Sequence, residues 1–126
     1  SLQVTFSRNL LGENDIWFDE KMGSGTGNGG GEENKLMLDC RRKGLRMFYC
    51  PDAIATILPG TSNWFHGYDK QYMENFGWSS RRILGSITGL LYIVYWTTFK
   101  QRVYAGDELS MCQALWHALK GYLAKR

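Results

Sequence analysis

Apolar and polar positions follow a helical period over much of the second half of the chain. Three ranges share this spacing: 69–76, 80–103 and 107–125. Because apolar residues three or four positions apart lie on one face of a helix, each range is predicted to be helical. A further helix is predicted over 32–43, with acids in its first turn, bases in its last turn, and Gly44 as its stop. Residues 8–14 are expected to form a turn or a short helix.

Short strands are predicted in the first half of the chain. The apolar runs 4–6, 45–50 and 53–57 have the length and composition of strands, and the last two are separated by Pro51 and Asp52. Residues 23–31 form a glycine-rich loop, which is the one low-complexity stretch. The pattern thus predicts a chain that mixes strands and helices, with helices alone in its C-terminal part.

The apolar run 83–99 contains no charged residue and is bracketed by Arg81, Arg82 and Lys100. As a helix it would be about 25 Å long, which is slightly short for a bilayer crossing of about 20 apolar residues. Three interpretations stay open: a buried or dimer-forming helix, a helix that lies on the membrane surface, and a membrane span.

Composition narrows the class of protein. The chain has 126 residues, of which 44% are hydrophobic, and this suits a single globular domain with a modest core. Its net charge is +3 and its bases are mostly scattered, so no nucleic-acid partner is expected. Three cysteines form no C-x-x-C pair, which favours a reducing cytoplasmic environment. Two histidines far apart in sequence give no metal-ligand cluster.

The glycine tract Gly29, Gly30 and Gly31 runs directly into Glu32 and Glu33 at the predicted start of a helix. Glycine lets the backbone turn and lets a ligand approach closely, and the helix dipole favours ionised acids in the first turn. An ionised carboxylate beside a flexible loop is suited to act as a general base. The alternative is that the two acids only cap the helix, as acids in first turns commonly do.

A dinucleotide-binding site is a second alternative for this loop. Residues 25–30 match the motif G-x-G-x-x-G, and Asp52 follows at about the distance of a ribose-binding acid. However, residues 15–22 carry several charges and are unlike the buried strand that precedes this motif. Glu32 and Glu33 would also repel a pyrophosphate at the helix N-terminus. We therefore place this interpretation second among the enzymatic ones.

Short motifs surround the loop in a fixed order. Phe18-Asp19-Glu20 and Gly23 precede the glycine tract with its two acids, and Pro51-Asp52-Ala53 follows the helix that ends at Gly44. This order resembles the C-terminal half of the catalytic domain of family-2 glycosyltransferases, over about residues 15–72. The resemblance implies part of a GT-A fold, an α/β arrangement (an α+β fragment) of a few short strands with a helix-rich C-terminal extension.

The resemblance also implies an activity and residue roles. The activity is inverting transfer of a sugar from a nucleotide-sugar donor to a hydroxyl of a glycan or lipid-linked saccharide, in cell-surface polysaccharide synthesis. Glu33 matches the catalytic base, and Glu32 would orient the loop or hold acceptor hydroxyls. The loop glycines Gly29, Gly30 and Gly31 would close over the substrates. Trp64 would stack on a sugar ring, or else would only pack as a structural aromatic residue.

The chain departs from this family, since it contains neither the D-x-D element that holds the donor's metal nor a histidine just after Pro51-Asp52-Ala53, and Glu33 stands where the family more usually has Asp. We therefore expect a fragment that is inactive alone, with residues 1–78 as the acceptor-side part and residues 79–126 as the helical extension. Mn²⁺ or Mg²⁺ and the nucleotide would be bound mainly by the missing half.

The same reasoning gives expectations about location and partners. We expect a cytoplasmic protein with peripheral contact to the inner membrane face. A homo-oligomer is expected to form through 83–99 or through an exposed sheet edge. The alternative from another functional class is a non-catalytic association or membrane-docking module, which would not need the glycine loop and its acids.

Overall fold

The computed structural model describes residues 4–23, 25–52, 65, 67–104 and 109–125. Their regular structure is entirely helical: α1 Arg8–Glu13, α2 Glu32–Arg42, α3 Lys70–Leu84, α4 Ser86–Phe99, a 3₁₀ turn Gln101–Val103, and α5 Met111–Leu123. The described part of the chain contains no β-strand.

The predicted α/β class is therefore wrong, and so is the predicted GT-A fragment with its few short strands. Residues 4–6 and 45–50 adopt no regular structure. A strand is stable only when neighbouring strands satisfy its hydrogen bonds and another surface covers its apolar side chains. Phe48 and Tyr49 lack such cover, because they are 84% and 90% exposed. The strand predicted at 53–57 lies outside the described residues.

Local capping explains where the helices begin. The side chains of Ser7 and Asp69 accept hydrogen bonds from backbone N–H groups in the first turns of α1 and α3. Ser110 and Gln113 form a capping box at the start of α5. The helix α2 begins instead after Gly31, whose φ of 113° suits glycine and is rarely adopted by other residues. The helix predicted from residue 32 onward is confirmed by α2.

Gly85 divides the long helix predicted over 80–103. Its φ of 85° with a ψ of −179° is a conformation that is essentially restricted to glycine, so α3 ends at Leu84 and α4 begins at Ser86. The helix α4 packs against α3. Within the described ranges, no helix has both the length and the apolar character that a membrane crossing requires.

The helix α3 lies at the centre of the fold and packs most extensively against α5. Glycines make this contact very close. A Cβ atom built on Gly77 would lie 1.8 Å from the carbonyl oxygen of Ala118, and one built on Gly121 would lie 1.8 Å from that of Glu74. The two helix backbones therefore touch at these positions, which leaves no room for any side chain.

Buried side chains form two separate groups. The α3–α5 cluster consists of Met73, Tyr104, Leu109 and Ala114, with Tyr68, Tyr72 and Trp96 packed around it. The α1–α2 cluster consists of Leu11, Ile16 and Leu36, with Cys40 and Leu45 at its edge. The first cluster holds the C-terminal helices together, and the second fixes α2 and the loop that precedes it.

Candidate functional site

An open groove of about 950 Å³ lies between the glycine tract and the helices α3 and α4. One wall consists of Gly29, Gly30, Gly31 and Asn34. The other walls carry, among others, Tyr72, Asn75 and Ser79 of α3 and Thr88, Tyr92 and Tyr95 of α4. We call it the glycine groove. The three glycines that the resemblance assigns to the substrate loop thus line this groove.

The lining of the groove combines aromatic rings and the aliphatic side chains of Ile83, Leu84 and Leu91 with several amides and hydroxyls. Aromatic faces suit the apolar side of a sugar ring, and amides and hydroxyls can bond its hydroxyl groups. Burial raises the pKa of Tyr72, and the nearby Tyr68 and Tyr92 raise it further. Since the ordinary pKa of 10.0 already lies well above pH 7, the Tyr72 phenol is neutral there and can donate a hydrogen bond. This combination is suited to a polyhydroxylated ligand.

The glycine tract reaches α3 because it has no side chains. A Cβ atom built on Gly29 would lie 2.9 Å from Cβ of Asn75, and one built on Gly31 would lie 3.2 Å from Cδ1 of Ile83. Larger residues at these two positions would push the tract away from α3 and change the width of the groove. The glycines therefore have a packing role that the sequence-based prediction of a closing loop did not include.

The two acids that follow the tract are placed differently from the glycines. Neither Glu32 nor Glu33 lines the groove, whereas the next residue, Asn34, does. The carboxylate of Glu32 lies behind the tract, where a Cβ atom built on Gly23 would be 2.9 Å from its Oε1. Its Oε2 is buried and has no hydrogen-bond partner among the described residues. Glu33 is half-buried in the first turn of α2.

Two further expectations from the sequence concern Trp64 and a metal ion. Trp64 lies outside the described residues. Within the part of the chain that is described, no group of three or more His, Cys, Asp or Glu side chains is placed to hold a metal ion. Binding of Mn²⁺ or Mg²⁺ thus stays an expectation for the donor side.

Sequence reasoning missed the polar groove residues of α3 and α4. A signal for them was present, because Tyr72, Asn75 and Ser79 are spaced i, i+3, i+7 and so share one helix face. Thr88, Tyr92 and Tyr95 are spaced i, i+4, i+7 on α4. Only the packing of α3 against α4 shows that these two faces border the same groove.

Charged residues of the Phe18-Asp19-Glu20 motif and of α3 hold the groove in place. Asp19 accepts hydrogen bonds from Arg82 Nε at 2.5 Å and from Arg82 Nη2 at 2.7 Å. Lys35 Nζ lies 4.0 Å from the same carboxylate. The hydrogen bonds from Arg82 hold the pKa of Asp19 below its usual value, although partial burial opposes this shift. Asp19 therefore links the loop before the glycine tract to α3.

A second charged group lies between α3 and α5. Lys120 Nζ donates to Glu74 Oε1 at 2.8 Å, and His117 Nδ1 lies 3.1 Å from the same oxygen. The hydrogen bonds with Lys120 and His117 lower the pKa of Glu74, and the one from Lys120 has the larger effect. This group reinforces the close contact of the two helices, and its residues do not line the glycine groove.

Comparison of the chain with protein-family models, with curated proteins and with solved structures found no match.

Proposed function

We propose that this chain is the acceptor-side part of an inverting glycosyltransferase and that the glycine groove binds the saccharide acceptor. The observation that supports this most is the placement of the glycine tract and Asn34 opposite the tyrosines and Asn75 of α3 and α4. The proposal concerns the chemistry of the site and not a GT-A fold, since the described residues are helical.

Inverting transfer needs one general base on the acceptor side. In the proposed reaction an acceptor hydroxyl oxygen attacks the anomeric carbon, and the bond from that carbon to the diphosphate breaks on the opposite face. Glu33 takes the hydroxyl proton as the new bond forms. A divalent cation bound on the donor side would neutralise the charge of the departing diphosphate.

Glu33 lies at the edge of the groove and not in its lining, so the proposed role requires its side chain to turn toward the bound acceptor. Glu33 follows the glycine tract in the first turn of α2 and is the immediate neighbour of Asn34, which lines the groove. Glu32 has the supporting role in this proposal, because its carboxylate packs behind the tract against Gly23.

Saccharide binding by the chain itself tests the groove. The probes are glucose, galactose and N-acetylglucosamine, each titrated into ¹⁵N-labelled protein and followed by amide chemical shifts. We expect at least one sugar to shift the amides of the glycine tract, Asn34 and Asn75 in a saturable way. The replacement Tyr95→Leu should weaken that binding, because it removes one aromatic face from the groove.

A matched variant separates a groove effect from a general one. Tyr49→Leu removes a tyrosine that is 90% exposed and does not line the groove, so it should leave binding unchanged. If no sugar shifts the groove amides, or if both replacements weaken binding equally, the groove is not the acceptor site.

A further inference from the structure

The helix α4 is apolar on two faces but is covered on only one. Gly89, Ile93 and Thr97 are buried on the inner face. Away from this inner face, Ile87 is 78% exposed and Val94 is 41% exposed. A helix that is apolar all round is normally buried on every side, in a protein core or in a membrane. One face of α4 therefore lacks the cover that its composition calls for.

The uncovered surface forms a continuous stripe. Its residues follow the i, i+3, i+7 spacing along α4, and we call it the α4 outer face: Ile87, Leu90 and Val94, with Phe99 at the C-terminal end. The neighbouring exposed residues Leu91 and Tyr95 line the glycine groove and are not part of this face. Each side chain of the α4 outer face is at least 38% exposed. Contiguous exposed apolar patches of this kind mark interaction surfaces more often than scattered apolar residues do.

The charged residues of the segment 76–104, which includes α4, are all basic. Residues 76–104 contain Arg81, Arg82, Lys100 and Arg102 and no aspartate or glutamate. Arg82 is engaged by Asp19, and Arg81 donates to the carbonyl oxygen of Tyr122. Lys100 and Arg102, which directly follow α4, are exposed. An apolar helix face with cations at its end and aromatic rings beside them is typical of helices that bind anionic lipid surfaces.

We propose that the α4 outer face docks on an anionic membrane surface, with α4 parallel to the bilayer plane. Ile87, Leu90 and Val94 would enter the boundary between headgroups and acyl chains. Lys100 and Arg102 would contact lipid phosphates. The helix has 14 residues and is about 21 Å long, so it lies along the surface rather than across a hydrocarbon core of about 30 Å.

The charge pattern disfavours a second copy of the chain as the occupant. Basic residues flank α4 at both ends, and residues 76–104 supply no acid to pair with them. Two parallel copies that met through this face would bring Lys100 and Arg102 of one copy close to the same two residues of the other. Such like-charge contacts reduce affinity. A lipid surface with anionic headgroups complements the same pattern. The proposal does not depend on glycosyl transfer.

Vesicle co-sedimentation tests the proposal. The probes are phosphatidylcholine vesicles with and without phosphatidylserine. We expect the chain to bind the anionic vesicles and to bind the neutral ones much more weakly. The double replacement Lys100→Gln/Arg102→Gln should lower the partition coefficient on anionic vesicles about 25-fold, since each cation near the surface contributes roughly a fivefold factor. The replacement Ile87→Asn/Val94→Asn should lower it on both vesicle types.

Control variants separate an effect on lipid binding from a general effect of the substitutions. Phe48→Asn/Tyr49→Asn removes two equally exposed aromatic side chains far from α4 in sequence, and it should leave partitioning unchanged. Circular dichroism checks that every variant is folded, and the charge replacements still test the proposal if the apolar pair does not fold.

Two results would overturn the proposal. One is equal binding of the wild type and the Lys100→Gln/Arg102→Gln variant to anionic vesicles. The other is a dimer in sedimentation velocity that Ile87→Asn/Val94→Asn abolishes while vesicle binding is absent, because the occupant is then a second copy.

Discussion

Asp19 has a structural function that its place in a short motif did not reveal. Its side chain is 9% exposed and is held by two hydrogen bonds from Arg82, with Lys35 close by. Hydrogen bonds between ionised groups are stronger than neutral ones. The replacement Asp19→Asn should therefore cost about 1.5–3 kcal/mol of unfolding free energy near pH 7, measured by urea denaturation.

The pH dependence of this loss has a definite sign. The pKa of Asp19 is lowered in the folded state from its ordinary value of 3.8, so the unfolded chain takes up this proton first as the pH falls. The stabilisation is complete above the ordinary pKa and is lost as the pH falls through the lowered one. Comparing wild type with Asp19→Asn isolates this group, because Glu74 titrates in both proteins.

The partner of Asp19 provides the control. Arg82→Gln should cost about as much as Asp19→Asn, and the double variant should cost clearly less than the sum of the two. Additive losses would mean that the two side chains do not stabilise the fold as a pair.

Glu33 is the residue on which the proposed chemistry depends. In an enzyme that contains this chain with its donor side, Glu33→Gln should lower turnover by about two to four orders of magnitude, the usual range for loss of a general base. Donor affinity should change little. The exposed Glu20, replaced in the same way, is the matched control and should leave turnover unchanged. A folded Glu33→Gln enzyme with normal turnover would remove Glu33 from the mechanism.

Among the helices, the contact between α3 and α5 is the most sensitive to substitution. Gly77→Ala would place a methyl group against the backbone of Ala118 and force the helices apart. We expect a loss of about 3 kcal/mol, near the upper end for overpacked cores. Gly12→Ala, at an exposed position of α1 where an added Cβ atom would meet only the Trp17 ring at 4.0 Å, should instead be neutral or stabilise by up to about 1 kcal/mol. Thermal and urea unfolding of both variants measures this difference. Equal losses of unfolding free energy in the two variants would contradict this explanation.

Helices were easier to predict than strands because their signals are local. The acids, bases and Gly44 that mark α2 lie within the helix or directly beside it. The run 45–50 has strand composition, but whether it pairs depends on a neighbouring strand that its own sequence does not specify. Gly85 was not identified as a break because isolated glycines are common inside helices, and its backbone conformation is set by the packing of α4 on α3.

Over the whole molecule, the two buried clusters are expected to open independently. The helix α2 makes few contacts with α3, so the α1–α2 cluster is joined to the rest mainly by Asp19, the glycine tract and Arg42, which donates to the carbonyl oxygen of Ile83. Ile16→Ala should accelerate amide hydrogen exchange in α1 and α2 and leave α3 and α5 protected. Met73→Ala should accelerate exchange in α3 and α5 and leave exchange in α1 and α2 unchanged. Uniform acceleration by Ile16→Ala would instead indicate a single cooperative unit.

One wall of the candidate site could be predicted from the sequence, and the other could not, because it depends on how the helices pack in the whole molecule. The glycine tract stood out because composition alone marks it. The opposite wall is made of Tyr72, Asn75 and Tyr95, which are ordinary residues in ordinary helices and become a wall only when α3 and α4 pack side by side. The positions of Glu32 and Glu33 behind and beside the tract likewise depend on how α2 meets the loop.

The backbone contact of α3 with α5 has an evolutionary consequence. In any relative that shares this fold, Gly77 and Gly121 can be exchanged only if both helices shift, whereas the α4 outer face can change freely among apolar residues. We expect substitutions in such a lineage to accumulate on α4 and to spare the two glycines. A pair of invariant small residues in two separate helices would then be the trait by which distant descendants are recognised.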